Sequence, residues 1–201
     1  LSLSGYNTSA IQFIYDHDFA HINAVIKKHG SSATTSNAVS ELSNITLDAD
    51  LLIEPQLVSN FTNNQKDIVV QDVNNHLYQI SNDGKILFKK QLECKVLGKI
   101  EQIDIYKNGR LQLAFATSKR VYVLDRNGKD VTPFPLKFND DITQPLSVFD
   151  YDNKKDYRLL VTQGKSLLMY DVSGKIVKGF TYKSAPNTIT KQPKHFRIGK
   201  R

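Results

Sequence analysis

One cysteine in 201 residues, Cys94, rules out an internal disulfide, and a lone thiol does not fix the redox compartment. No apolar run approaches the ~18 residues of a membrane-spanning helix. No secretory leader is visible, but the chain opens on Leu1 rather than Met, so a preceding piece is expected. There is no glycine-rich phosphate loop. Cys94 stands beside Lys95 with no histidine near it in sequence, which argues for a thiol at a sheet edge and against a Cys–His nucleophile. Acids are absent from the last nineteen residues, Lys183 to Arg201, which hold six basic ones.

Charge is unevenly spread. Residues 1–60 carry two lysines against six acids, a net of −4, so the remainder carries +11 of the total of +7. The basic end, with Lys191, Lys194, Arg197, Lys200 and Arg201, is a solvated face that could also meet an anionic partner through screened charge attraction. With 40% hydrophobic residues and a mean hydropathy of −0.38, the composition suits a soluble β protein with its own core.

What the chain does have is a phrase repeated in one frame. Leu77-Tyr-Gln-Ile-Ser-Asn-Asp-Gly84-Lys85 returns as Val121-Tyr-Val-Leu-Asp-Arg-Asn-Gly128-Lys129 and as Leu167-Leu-Met-Tyr-Asp-Val-Ser-Gly174-Lys175. The glycines are 44 and 46 residues apart, and a period of ~40–50 residues made of short strands is that of propeller blades. Each phrase reads as an alternating strand followed by a tight turn in which Gly84, Gly128 or Gly174 takes positive φ. A further strand should follow each turn, over Ile86–Phe88, Val131–Phe138 and Ile176–Tyr182. Pro133 and Pro135 remove two donors and mark the second of these as an outer strand. Upstream lie Asp67–Val70, Arg110–Phe115 and Tyr157–Val161, preceded by first strands at Pro55–Val58, Ile100–Ile105 and Pro145–Phe149; Pro193–Ile198 begins a fourth copy.

The expected fold is therefore all-β, a partial propeller of three four-stranded blades at about 55–98, 99–142 and 143–189, with the start of a fourth at 190–201. Closed propellers need about four to eight blades, so the chain is expected to be part of something longer, its open edges covered by other chain or by a neighbour. Residues 1–54 do not fit the repeat. They read as two long antiparallel strands around a flexible connector at 29–38; the alternative is a helix from Asp18 to Gly30.

Candidate chemistry is thin. Asp150, Asp152 and Asp156 share one loop, and alternate oxygens from a short loop can wrap calcium. Two lysines in its middle and the missing turn glycine favour a simple Asx turn. His17 and His21 could share a helix face and a zinc ion, but on a strand they would stand about 13 Å apart. Tyr78, Tyr106, Tyr122, Tyr151, Tyr157, Tyr170 and Tyr182 are interleaved with basic residues; sheet packing explains them better than base stacking, and no nucleic acid is expected.

The runs Asp67-Ile-Val-Val-Gln71, Leu77-Tyr-Gln-Ile80 and Asp83-Gly-Lys85, with their second copy at 121–129, resemble PQQ-like and FG-GAP-type propellers. Residues 103–112, 149–153 and 192–198 further resemble the C-terminal propeller of uncharacterised, envelope-anchored bacterial proteins. The resemblance implies a fold, a place in the bacterial cell envelope, further blades and a membrane anchor outside this chain; it implies no activity. Quinone-dependent members sandwich their cofactor partly with tryptophan, and this chain has none, so no cofactor is expected. The expected function is a non-enzymatic binding or scaffold module with a protein partner, its work done by loops and by the basic end. Two alternatives stand beside it: part of a larger envelope enzyme with catalytic residues elsewhere, and a basic surface for anionic lipid or polysaccharide.

Overall fold

The computed structural model describes the backbone of residues 6–16 and 19–28 and, with side chains, residues 44–196. The described residues are all-β, with no helix among them and hence none that could cross a membrane. The chain divides into two compact units at 41/42.

The first unit contains β1 (Tyr6–Asp16) and β2 (Phe19–Lys28), paired antiparallel with Asp16 opposite Phe19. This corrects both sequence readings of the segment. Residues 19–28 are a strand and not a helix from Asp18, and their partner is 6–16, so this pair is joined at 17–18 and not across the expected connector. The connector at 29–38 lies outside the described residues. Residues 44–54, expected to go with the N-terminal strands, instead belong to the second unit. Ile45 and Leu47 cover Val70, Tyr78 and Ile80, and Leu52 N–H donates to Gln71 O at 2.7 Å. Their alternation buries apolar side chains without continuous pairing; only Leu51 bridges Asp72.

The second unit holds three antiparallel meanders. β3 (Gln56–Ser59), β4 (Lys66–Gln71), β5 (His76–Ile80) and β6 (Ile86–Gln91) form the first, in sequence order. β7 (Glu101–Ile103), β8 (Gln112–Ala116), β9 (Arg120–Leu124) and β10 (Leu136–Lys137) form the second. The third is β11 (Ser147–Phe149), β12 (Arg158–Gln163) and β13 (Ser166–Asp171).

The expected fourth strand of the third sheet, Ile176–Tyr182, is not a strand. Val177 N–H donates to Met169 O at 2.8 Å, as Val131 does to Val123 at 2.9 Å. The chain then turns, Phe180 N–H to Val177 O repeating Phe134 to Val131. In the second sheet it returns as β10, at the edge where Pro133 and Pro135 do no harm. In the third it touches the ladder again only at the Ser166–Ser184 bridge.

Period-2 alternation places the sheets face to face. Leu113 and Phe115 of β8 join Val58, Val69, Leu77 and Phe88 of the first sheet in one apolar layer. Ala114 and Ala116, on the opposite face, join Leu146, just before β11, and Leu159 and Val161 of β12 in another. Strand β8 is thus buried on both faces, which is why it reads as a continuous apolar run. Phe115 stacks on Tyr122 at 5.2 Å between ring centroids. The far face of the third sheet, with Leu160, Leu167 and Met169, is covered by Val177, Phe180 and Ile189.

The first strands are tied across sheets by side chains. Gln56 donates from Nε2 to Gly98 O and accepts from Ile100 N–H; Gln102 accepts from Ser59 N–H and donates back to Ser59 O, all at 2.7–2.9 Å. Residues 189–193 meet the third sheet in the same way. Gln192 Nε2 donates to Leu146 O and Ser147 Oγ to Pro193 O.

Candidate functional site

Three equivalent turns close the strand pairs of the sheets. Gly84, Gly128 and Gly174 have φ of 85°, 75° and 74°. In each, the glycine N–H donates to the carbonyl three residues back, Ser81, Asp125 or Asp171, and that residue's N–H donates to the following lysine's carbonyl. The same three side chains also accept from the lysine N–H: Ser81 Oγ, Asp125 Oδ1 and Asp171 Oδ1.

The calcium candidates are not brought together. Asp150 accepts the N–H groups of Lys154 and Lys155 at 3.1 and 2.9 Å, capping its own loop. Asp156 pairs with Lys107 at 2.6 Å, and Asp152 is exposed. Among the described residues no group of three or more His, Cys, Asp and Glu could hold a metal. The loop is a copy of the one before it: Asp104 accepts from Asn108 and Gly109 N–H at 3.0 and 2.8 Å. Positive φ recurs at matching places, Lys107 and Gly109, then Asn153 and Lys155. Two lysines therefore fit this loop because its carboxylate serves the backbone. Both members of the Lys107–Asp156 pair are about half exposed, so Lys107→Ala should leave the urea midpoint essentially where it is.

His21 lies on β2 opposite Ile14, which removes the helix face a shared zinc would need; His17 lies outside the described residues. Cys94 is half-buried. Tyr78 and Tyr122 are core residues whose hydroxyls donate to Asp72 and Glu93. Burial first and these carboxylates second push both phenols up. Lys191 and Lys194 are exposed; Arg197, Lys200 and Arg201 lie outside the described residues.

Sequence reasoning missed the cleft at the junction of the first and second sheets. One part, about 290 Å³, is lined by the loop after β3, by β4 and β5, and by the turn at 125–127. A wider part, about 440 Å³, continues past Phe61 and Arg126 toward Tyr106, Arg110 and Asp130. At its floor Asp67, only 1% exposed, accepts from Asn60 Nδ2 at 3.1 Å and Gln79 Nε2 at 2.8 Å. The Arg126 guanidinium lies over the Phe61 ring at 5.8 Å. Among the described residues neither Arg126 nor Arg110 pairs with a carboxylate, whereas Asp130 pairs with Lys90 at 3.0 Å. Such a lining can orient a polar ligand by hydrogen bonds and hold a negative group at the rim. No family model and no curated protein matches the chain.

Proposed function

We propose that the three sheets are successive blades of a β-propeller segment, at about 55–98, 99–142 and 143–189, and that the chain is a non-enzymatic binding and scaffold module of the bacterial cell envelope. The observation that carries the fold part is the repeated tie between first strands. Gln56 and Gln102 join β3 to β7, and Gln192 and Ser147 join the 189–193 segment to β11 in the same manner. Blades set around one axis bring their first strands together in this way. On this reading 190–201 is the start of another blade, and the partner is a protein or further blades.

The binding part is supported by how the cleft's acids are used. Asp67 is held by Asn60 and Gln79, Asp125 caps its turn, and Asp130 is paired with Lys90. Each carboxylate is committed to structure, which suits recognition better than proton transfer. The exposed lysines Lys191 and Lys194 add a basic surface whose contacts would weaken with salt.

A crystal structure of the protein should show β3, β7 and β11 facing a shared axis; first strands splayed apart would remove the propeller. Incubated with glycosidase, esterase and dehydrogenase substrates, the purified protein should give no turnover above buffer, and turnover would remove the non-enzyme reading. Cell fractionation should place it with the envelope.

A further inference from the structure

We propose that the cleft between the first two sheets binds an acidic saccharide, a short glycan carrying uronic-acid carboxylates. The inference rests on the binding-module reading and adds the ligand class. Its wider part, about 440 Å³, falls within the ~300–1,000 Å³ of small-ligand sites. Three kinds of group converge there, and a uronate answers all of them.

The first are guanidinium groups. Arg110 comes from the loop before β8 and Arg126 from the turn after β9, both exposed at the same cleft, and neither pairs with a carboxylate among the described residues. A planar fork of N–H donors reads a carboxylate in two parallel bonds. Arg126 is also set in place by the Phe61 ring beneath it, so less freedom is lost on binding. The second are rings: Tyr106, 60% exposed, stands at the same cleft and offers an apolar face to sugar C–H groups. The third are neutral donors and acceptors, Asn127 and Asn108, suited to hydroxyls.

Charge pattern separates this ligand from a nucleic acid. Asp125 and Asp130 line the same cleft as the arginines. Asp125 is bonded to its turn amide and Asp130 to Lys90, and their remaining lone pairs can accept from sugar hydroxyls, which a run of phosphates does not offer. Carboxylates spaced among several hydroxyls are the complement of two guanidinium groups among carboxylates and amides.

The test is isothermal titration calorimetry of the whole protein with di-galacturonate, with its methyl ester, and with an octathymidylate. Di-galacturonate should bind, and the ester should bind about tenfold more weakly because the charge-assisted bonds are gone. Arg126→Gln and Arg110→Gln should each weaken di-galacturonate binding about tenfold, Arg126→Lys less, and a change at the exposed Lys178 after the third sheet, Lys178→Gln, not at all. Acid and ester binding equally, both arginine variants binding as the unaltered protein does, or the oligonucleotide binding in place of di-galacturonate would each overturn the proposal. So would a silent titration with di-galacturonate together with an array of uronate-bearing glycans. If neutral saccharides bind while uronates do not, the ligand class fails and the binding-module reading stands. Cleavage of the disaccharide would instead remove the non-enzymatic reading.

Discussion

Gly128→Ala is expected to lower the unfolding free energy by about 2–4 kcal/mol, and Gly109→Ala by only about 1 kcal/mol. Both glycines have positive φ, 75° and 81°, so the backbone strain introduced by a Cβ is similar at the two sites. Their surroundings differ. A Cβ at Gly109 meets nothing within 4 Å, whereas at Gly128 it would lie 2.6 Å from Cδ2 and 2.7 Å from Cγ of Phe88. Phe88 is a buried member of the layer between the first two sheets, so its ring has nowhere to go without opening that layer. Gly174 stands in the same relation to the second sheet, its Cβ position 2.6 Å from Cγ of Pro133. The turn of each later sheet thus packs on the outer strand region of the sheet before it, and the glycine serves both the turn and the approach. Urea unfolding followed by far-ultraviolet circular dichroism would measure the two variants side by side. Equal costs would mean that Phe88 moves aside freely and that the sheet-to-sheet contact is slack.

The turn role, not the close approach, is the part that shows in the sequence. Residues whose chemistry is dictated locally, by a turn needing positive φ or by alternating burial, show themselves in a single sequence. Gly84, Gly128, Gly174 and the paired strands beside them are of this kind. The Asp150 loop reads as an Asx turn in preference to a calcium loop, and its carboxylate does cap backbone amides; the Asp104 loop, with one acid only, caps the matching amides. What was not legible depends on long-range placement. Ile45 and Leu47 alternate as a strand would, yet they pack on the first sheet without pairing to it. Ile176–Tyr182 has strand composition, but the turn from Val177 to Phe180 takes it off the ladder. The cleft was hidden for the same reason. Phe61, Arg110 and Arg126 are 49 and 16 residues apart, and each reads alone as an ordinary loop residue. The one signal available was that Arg126 stands where the other two turns carry Asn82 and Val172.

Asp104→Ala should cost about 2–4 kcal/mol, against about 1 kcal/mol for Asp150→Ala at the matching place in the next repeat. Both carboxylates cap two amides of their loop, but Asp104 is only 2% exposed and also takes Lys155 Nζ from that next loop. Removing it leaves the Asn108 and Gly109 N–H groups without their acceptor and takes away one of the polar ties between two consecutive sheets, Lys155 to Asp104. Asp150 is half-buried, so water can take over more of its work. Acid acts on the same group. Burial alone would raise the Asp104 carboxyl; the Lys155 ammonium and the Gly109 and Asn108 amides outweigh it and hold the group below its ordinary value. A folded-state pKa below the unfolded ~3.9 means that the stabilisation is complete above about pH 4 and is lost as pH falls through the folded value. Asp104→Asn, which does not titrate, should therefore differ most from the unaltered protein near neutrality, and the two urea midpoints should draw together on acidification. Midpoints that stay a constant distance apart down to about pH 2 would show that the Asp104 charge plays no part in joining the two repeats.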